Sequence, residues 1–283
     1  MNHVPFSFHD SVISNLPLSS IFPLAKIHNQ TIANLAELHA YNRRSLSFYL
    51  IRIAETGALS WYLLDCSNPK LLKFQDLNVQ YDRIKRVAMD YLHPRHIDFP
   101  STPVSLDQLP SLLRKVFCIT AHNFDFLCCL GEHQKVLADL GVMRQCRSLD
   151  LSHVDDSERL LDQIPLLAIQ NFALRDFKTP SVPKIREIVN FSSKIQSLEI
   201  HSNDMVLSLD DIKSIVLKYA LDPSFDCEIT AKTQYTLQQI RKAVCPLWQI
   251  KTKSKSNILF CKRNKKLRLM VMVKNGLIML NST

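Results

Sequence analysis

A recurring apolar pattern in the second half of the chain constrains its fold more than any other feature of the sequence. Short pieces with the spacing apolar-x-x-apolar-x-apolar alternate with stretches whose apolar residues lie three or four positions apart. These pieces begin at Leu113, Cys146, Ile169 and Ile195, with a shorter one at Phe225. Alternating apolar residues indicate strands, and spacings of three and four indicate helices. The sequence therefore predicts a succession of strand–helix units.

The predicted strands share a register. With Val116, Leu149, Phe172, Leu198 and Cys227 as equivalent positions, the intervals are 33, 23, 26 and 29 residues. The piece Ile195-x-x-Leu198-x-Ile200-x-x-Asn203 resembles the strand pattern of leucine-rich repeats, which recur every 20 to 29 residues. A doubly wound sheet would also alternate strands and helices, but the period favours stacked repeats. Stacking predicts a parallel sheet backed by helices, with one strand face open for binding.

The intervening stretches predict helices at residues 158–164, 183–191, 209–220 and 236–244. Ser208, followed three residues later by Asp211, has the spacing of a capping box at the start of the third. After the repeats, strands are predicted at 257–261, 267–273 and 277–280, and Asn275-Gly276 is a strong hairpin signal. We expect this antiparallel meander to cover the last sheet edge as a cap.

The N-terminal part is predicted to be helical, with segments at 9–15, 18–26, 31–42 and 46–55 and a boundary near Gly57. The predicted organisation is thus a helical module over 1–56 and an α/β domain over 57–283. Within that domain, residues 57–112 are expected to be irregular, with strands predicted at 59–64 and 84–89. The repeats occupy 113–248 and the hairpin cap 249–283.

The N-terminus resembles an F-box, a short helical module that begins near Leu-Pro. The resemblance rests on Val4-Pro5-Phe6 and on the apolar residues that follow, which are Val12, Ile13, Leu16, Ile21, Leu24 and Ile27. The chain as a whole is similar in layout to the expanded nematode families of F-box-like proteins, which join such a module to a repeat-bearing region. It departs from the family at Val4, where leucine is usual, and over 33–39, which lacks the tryptophan common there.

This resemblance implies that the N-terminal module binds the Skp-type linker subunit of a cullin ubiquitin ligase while the repeats present a target protein. The matching linker-binding positions are Val4, Pro5, Ile13, Leu16, Ile21 and Leu24. Alternatively, the same helices only seal the end of the repeat stack, because repeat arrays need an end unit with a polar outer face.

Charged and polar residues between the apolar strand positions are candidates for the target-binding surface. They are Arg147, Asp150, Arg175, Glu199 and His201. Position alone selects them, since side chains that alternate with core residues lie on the opposite face of a strand.

The chain is expected to be non-enzymatic and to need no cofactor. Only four glycines are present, and no phosphate-binding loop, dinucleotide fingerprint or zinc-protease motif occurs. His122, Cys128, Cys129 and His133 lack the paired spacing of a structural zinc site, so no metal is expected. The eight scattered cysteines and the absence of an export signal or membrane span indicate a cytoplasmic or nuclear protein.

Basic charge is concentrated at the C-terminus. Residues 229–283 hold twelve of the 35 Lys and Arg and none of the 26 Asp and Glu. The basic patch consists of Lys251, Lys253, Lys255, Lys262, Arg263, Lys265, Lys266 and Arg268. It would suit nucleic acid or another acidic partner, or it simply protects an exposed strand edge. Few aromatic residues accompany it, so base stacking is disfavoured.

Overall fold

The chain has a mixed α/β fold. A computed structural model describes residues 5–16, 18–53, 56–89, 100–128, 134–141, 146–152, 162–163, 169–175, 187, 195–222, 224–244, 258–262 and 268–282. It divides into two compact units, Met1–Leu127 and Cys128–Thr283.

Unit 1 begins with the three helices that the sequence predicts: α1 (Phe6–Asn15), α2 (Leu18–Leu24) and α3 (Gln30–Asn42). The Asn29 side chain caps α3 by accepting a hydrogen bond from the Ile32 backbone N–H at 3.2 Å. This interaction satisfies one of the backbone donors that the first turn of a helix leaves unpaired.

The remainder of unit 1 is a sheet with one helix. Its strands are β1 (Ser45–Arg52), β2 (Leu59–Asp65), β3 (Leu71–Leu72), β4 (Arg83–Met89), β5 (Thr102–Val104) and β6 (Thr120–Cys128). A 3₁₀ turn occupies Phe74–Asp76, and α4 is Leu109–Cys118. The strand order is β6-β4-β1-β2-β3, with β5 also paired to β2. β1 is antiparallel to β2 and parallel to β4.

Two predictions in unit 1 are wrong. The helix expected over 46–55 is strand β1, and the first repeat strand, Leu113 to Cys118, lies in helix α4. Leu109, Leu112, Leu113 and Val116 are all buried at helical spacing, so α4 places its apolar stripe on one face. The strands expected at 59–64 and 84–89 are confirmed as β2 and β4.

The boundary expected after residue 56 falls in the connection between β1 and β2, two strands of one antiparallel hairpin. Side-chain contacts also join α3 and the connection after it to the residues just before β4. Arg44 donates from Nε and Nη2 to the Asp82 carboxylate at 2.8 and 2.6 Å, and Asp82 is only 1% exposed. The rings of His39 and Tyr81 meet edge to face, 5.1 Å apart. Met1–Leu127 is therefore one unit.

Unit 2 contains β7 (Cys146–Ser152), β8 (Asn171–Arg175), β9 (Ser197–Val206) and β10 (Asp226–Lys232). Its helices are α5 (Gln134–Leu140), α6 (Leu209–Leu221) and α7 (Leu237–Val244), followed by β11 (Ile258–Lys262), β12 (Arg268–Lys274) and β13 (Leu277–Ser282). The strand order is β11-β12-β13-β10-β9-β8-β7, and β7 to β10 are mutually parallel.

The predicted equivalence of strand positions is confirmed for four strands. Leu149 lies opposite Phe172, Phe172 opposite Leu198, and Leu198 opposite Cys227. These four equivalent side chains are buried and line up across the sheet. Val116, the fifth residue of the predicted series, belongs to helix α4 instead.

The helices predicted at 209–220 and 236–244 are confirmed as α6 and α7. Ser208 and Asp211 form the expected capping box: the Asp211 N–H donates to Ser208 Oγ at 3.1 Å, and the Ser208 N–H donates to Asp211 Oδ2 at 2.8 Å. The helices predicted at 158–164 and 183–191 lie outside the described residues except for 162–163, which form a turn, and Glu187, which is helical.

The predicted C-terminal meander is also confirmed. β11, β12 and β13 pair antiparallel in sequence order, and β13 pairs antiparallel with β10, which covers the edge of the last parallel strand. Asn275 and Gly276 both have positive φ, 52° and 75°, as a two-residue type I′ hairpin turn requires.

Candidate functional site: the open face of unit 2

Side chains on the strands of unit 2 alternate between a buried and an accessible face. In β8, Phe172 and Leu174 are buried, whereas Asn171, Ala173 and Arg175 are half-buried. β10 alternates in the same way over most of its length. The buried side chains form the core of the unit. We call the accessible side of β7 to β10, β13 and β12 the open face.

Strand pairing arranges the side chains of the open face in rows that cross the strands, and two neighbouring rows form the candidate site. The first row consists of Asp150, Ala173, Glu199, Glu228, Asn281 and Met270. The second row consists of Arg175, His201, Thr230, Met279 and Met272. Most side chains of each row are ionisable on the parallel strands, and each row contains methionine on the antiparallel strands.

Arg175 joins three neighbouring strands through its guanidinium group. Its Nη1 donates to both carboxylate oxygens of Asp150 on β7, at 2.7 and 2.8 Å. Its Nε and Nη2 donate to the two carboxylate oxygens of Glu199 on β9, both at 2.8 Å. Bidentate arginine–carboxylate pairs are the strongest geometry for such contacts.

The network of side-chain contacts continues through His201, whose Nε2 lies 3.2 Å from Glu199 Oε1 and 3.9 Å from Glu228 Oε1 on β10. We call Asp150, Arg175, Glu199, His201 and Glu228 the charged ladder.

Contacts within the charged ladder shift the pKa values of Arg175 and Glu199. Hydrogen bonds to Glu199 and Asp150 outweigh partial burial and raise the pKa of Arg175. The hydrogen bonds from Arg175, with its positive charge and the nearby His201, hold the pKa of Glu199 below its ordinary value. Both groups are therefore charged together, and Arg175 has its Nε, Nη1 and Nη2 already committed within the sheet.

Four of the five residues predicted for target binding, namely Asp150, Arg175, Glu199 and His201, come together in this ladder. The fifth, Arg147, does not join them. Arg147 lies on the same side of β7 as buried Leu149, two residues away. Its Nε donates to Gln170 Oε1 at 2.6 Å. Its position at the start of β7 leaves it exposed but away from the ladder.

The sequence interpretation missed Glu228 and the methionines of the open face. Within the part of the chain that the structure describes, Glu228 forms an ion pair only with His201, at 3.9 Å, and its side chain is 57% exposed. Its place between buried Cys227 and Ile229 could have identified it. Met270, Met272 and Met279 are half-buried; we call them the methionine patch. Their position became apparent only from the pairing of β12 and β13 with β10.

The predicted linker-binding residues mostly hold the N-terminal helices together. Ile13 and Ile21 are 2% and 0% exposed and form a small core with Leu35 and Ala36. Leu16 and Leu24 pack against that core as partly buried residues. Pro5 is exposed just before α1, and Val4 lies outside the described residues. Helical spacing of the apolar residues explains why they face inward.

Other apolar side chains of these helices are exposed. Phe6, Phe8 and Val12 project from α1 with exposures of 61%, 57% and 43%. A groove of about 970 Å³ is lined by Phe22, Ala25, Lys26, Asn34, Glu37, Leu38, Ala40 and Tyr41 of α2, α3 and their connection. The accessible apolar surface of the module thus differs from the six positions that the resemblance selects.

Arg43 fixes the end of α1 against α3. Its Nη2 donates to the carbonyls of Ile13 and Ser14 at 3.0 and 2.8 Å, and its Nη1 donates to the carbonyl of Leu16. Burial, together with the charge of Arg83, lowers the pKa of Arg43 to about 10, still well above neutrality. A cation at the C-terminal end of a helix pairs with the carbonyls that the last turn leaves free.

The basic patch lies largely outside the described residues, which do not include Lys251, Lys253, Lys255, Arg263, Lys265 and Lys266. For Lys262 and Arg268 only the backbone is described, in β11 and β12.

Among the described residues, no group of three or more His, Cys, Asp and Glu lies close enough to hold a metal ion. The described helices include none with the length and apolar character needed to cross a membrane. The chain matches no protein-family model, no curated protein and no solved structure.

Proposed function

We propose that this protein is a non-enzymatic adaptor that binds a target protein on the open face of unit 2. The observation that carries this proposal is the alternation of buried and accessible side chains along β8 and β10. The accessible side bears a continuous charged ladder, although the opposite side alone supplies the core. We also infer that the strand–helix units of β7 to β10 stack in the manner of leucine-rich repeats, which is supported by their in-register parallel pairing.

The size of the open face suits a macromolecular partner. Six neighbouring strands at about 4.8 Å spacing give a width of roughly 24 Å. A sheet surface of that width resembles the extended binding surfaces of repeat proteins, whereas small molecules bind in concave pockets.

We further propose that the N-terminal helices bind the Skp-type linker subunit of a cullin ubiquitin ligase. The exposed aromatic residues on α1 and in the α2–α3 groove support this role, because apolar side chains on a helical surface can pack against the helices of a partner. In this proposal Phe6, Phe8, Phe22 and Tyr41 make the contacts, and Ile13 and Ile21 maintain the module that presents them.

The test is co-purification of the full-length chain with a recombinant Skp-type linker subunit, using a known F-box protein as the positive control. Phe8→Asp and Phe22→Asp should each reduce capture of the linker by roughly tenfold or more. Leu106→Asp is the matched control, since Leu106 is also an exposed apolar residue of unit 1, at 63%. Failure of the wild-type chain to bind while the F-box control binds would reject linker docking.

A second function is favoured by the contacts that join α1 and α3 to the residues just before β4. Gln80 Nε2 donates to Asp10 Oδ1 of α1 at 3.3 Å, and the ring of His39 of α3 contacts that of Tyr81. Gln80 and Tyr81 both lie just before β4. In this alternative the protein is a plain interaction scaffold and its N-terminal helices only cover the adjoining structure. Target binding without linker binding is the outcome that would distinguish it.

A further inference from the structure

The three carboxylates of the charged ladder differ in how well they are paired with positive charge. Asp150 and Glu199 share the guanidinium of Arg175, whereas Glu228 forms an ion pair only with His201 among the described residues, at 3.9 Å. The ladder therefore has three carboxylates for one guanidinium, and the least compensated carboxylate is also its most exposed member. A cationic group from a partner would complete this side of the face.

The methionine patch lies directly beside that carboxylate. Asn281 of β13 is opposite Glu228, Met270 of β12 is opposite Asn281, and Met279 lies two residues from Asn281 along β13. One or two strand spacings separate Glu228 from the patch, a distance of about 5–10 Å. Methionine side chains are flexible and polarizable, which lets them fit apolar partners of different shapes.

We propose that the open face binds a basic amphipathic segment of a partner protein. A lysine or arginine of that segment pairs with Glu228 and its neighbour Glu199, and an apolar side chain covers Met270, Met272 and Met279. The separation on the sheet corresponds to basic and apolar residues two to three positions apart in an extended peptide, at about 3.3 Å per residue. This inference rests on the proposed target-binding role and adds the chemistry of the target.

Charge complementarity selects this partner over a nucleic acid. Phosphate groups near Glu228 would be repelled by this carboxylate, which has no guanidinium partner among the described residues. Lys232 and Lys274 lie on the same face in another row, where both are opposite Leu277. A basic peptide gains both ion pairing and burial of the methionine side chains, and the burial stabilises the complex at roughly 25 cal/mol per Å² of apolar surface.

The proposal can be tested with the full-length protein and an array of fluorescent peptides of about twelve residues, long enough to cross the face when extended. The array varies the spacing between Lys or Arg and Leu or Phe. One matched set replaces the basic residues by Glu, and another replaces the apolar residues by Ser. The best basic-apolar peptides should bind roughly tenfold or more tightly than both matched counterparts.

Two protein variants and a control locate the binding. Glu228→Lys should weaken binding of the best peptide roughly tenfold or more, and Met279→Ser should weaken it several-fold. Asp210→Lys is the matched charge reversal, because Asp210 is an exposed carboxylate on α6 at 89%. It should leave peptide affinity unchanged. Thermal melting monitored by circular dichroism verifies that each variant is folded.

The proposal is overturned if no basic-apolar peptide binds better than its matched counterparts, or if Glu228→Lys has no larger effect than Asp210→Lys. Displacement of the peptide by a DNA or RNA oligonucleotide would also contradict it. Linker capture is measured separately on the same variants and should be unaffected by Glu228→Lys. Loss of linker binding with intact peptide selectivity would reject the adaptor role alone, and the converse result would reject only this inference.

Discussion

Strand β1 of unit 1 and strand β8 of unit 2 have similar apolar content, but β1 is buried on both faces and β8 on only one. In β1 five consecutive residues, Leu46 to Leu50, are buried, including Ser47. In β8 every second residue is accessible. The difference teaches that a strand covered on both faces contributes mainly to the core, whereas a strand covered on one face also provides a surface. Unit 1 therefore has a central strand that is buried on both faces. In unit 2, the residues proposed to bind a target lie on the accessible face of a sheet that is buried on its other face.

Substitutions at neighbouring strand positions give the largest expected effects and test this comparison directly. Phe48→Ala and Tyr49→Ala should each destabilise unit 1 by about 3–5 kcal/mol, because both side chains are buried. In β8, Phe172→Ala should cost about as much, whereas Ala173→Ser should change the free energy of unfolding by less than about 0.5 kcal/mol. Peptide-resolved hydrogen exchange reports each unit separately. Equal costs at Phe172 and Ala173 would contradict a one-sided β8.

The Arg44–Asp82 pair should show the cost of removing the arginine partner of a buried carboxylate in unit 1. Among the hydrogen bonds of the described residues to this carboxylate, only the one from the Asn78 N–H to Asp82 Oδ2 at 2.8 Å would remain. Arg44→Ala is expected to destabilise this unit by about 3 kcal/mol, since Asp82 is 1% exposed. The measurement is urea unfolding followed by Trp61 fluorescence in a Trp248→Phe background. Arg86→Ala, which removes an exposed arginine from β4, is the control and should cost less than about 0.5 kcal/mol. Similar effects for both variants would show that the pair adds nothing beyond a surface contact.

On the open face, the same type of substitution should have a smaller effect. Arg175→Gln removes the cross-link between β7, β8 and β9, but Asp150 and Glu199 remain partly hydrated, with 26% and 31% of their side chains exposed. The expected loss is about 1 kcal/mol. Hydrogen exchange in β7 and β9 is the measurement, and a loss as large as that for Arg44→Ala would place the ladder in the core rather than on a surface.

The smallest effect concerns pH. Because Arg175 lowers the pKa of Glu199 relative to its ordinary value of 4.5, this carboxylate stabilises the folded state above pH 4.5 and loses that contribution as the pH falls through its lowered pKa. Glu199→Gln should flatten the dependence of the unit 2 unfolding midpoint on pH in this acidic range. In an Arg175→Gln background the same substitution should have little further effect. If Glu199→Gln leaves the pH dependence of the unfolding midpoint unchanged, the Arg175–Glu199 ion pair is not the cause of that dependence.

The comparison of β1 with β8 also explains which elements could be predicted from sequence. The alternating pattern predicted β7 to β10 correctly, and spacings of three and four predicted α1, α2, α3, α6 and α7. The prediction for β1 was wrong because a continuous apolar run has no periodicity. The sequence of a strand that is buried on both faces therefore resembles that of a buried helix. α4 failed because Leu113, Val116 and Cys118 match the strand template, although Leu109 and Leu112 extend a helical stripe.

The candidate site was predictable only in part. Because successive side chains of a strand point to opposite faces, the sequence placed Asp150, Arg175, Glu199 and His201 on one face. The same reasoning could have added Glu228. The register between strands decides which of these side chains touch, and that register depends on chain segments some 25 residues apart along the sequence. For the predicted linker-binding positions, the sequence pattern did not distinguish the two roles. Their apolar spacing indicates burial in the module's own core as readily as contact with a partner.

The sequence by itself determined the alternation of strands and helices, the equivalence of Leu149, Phe172, Leu198 and Cys227, and the Asn275-Gly276 hairpin. Each of these depends on local spacing or local backbone preference. Only the tertiary structure decided that β1 is a strand, that Arg44 reaches Asp82, and that the methionine patch adjoins the charged ladder. Those features arise from pairing between distant segments, where burial of the whole sheet rather than local propensity selects the conformation.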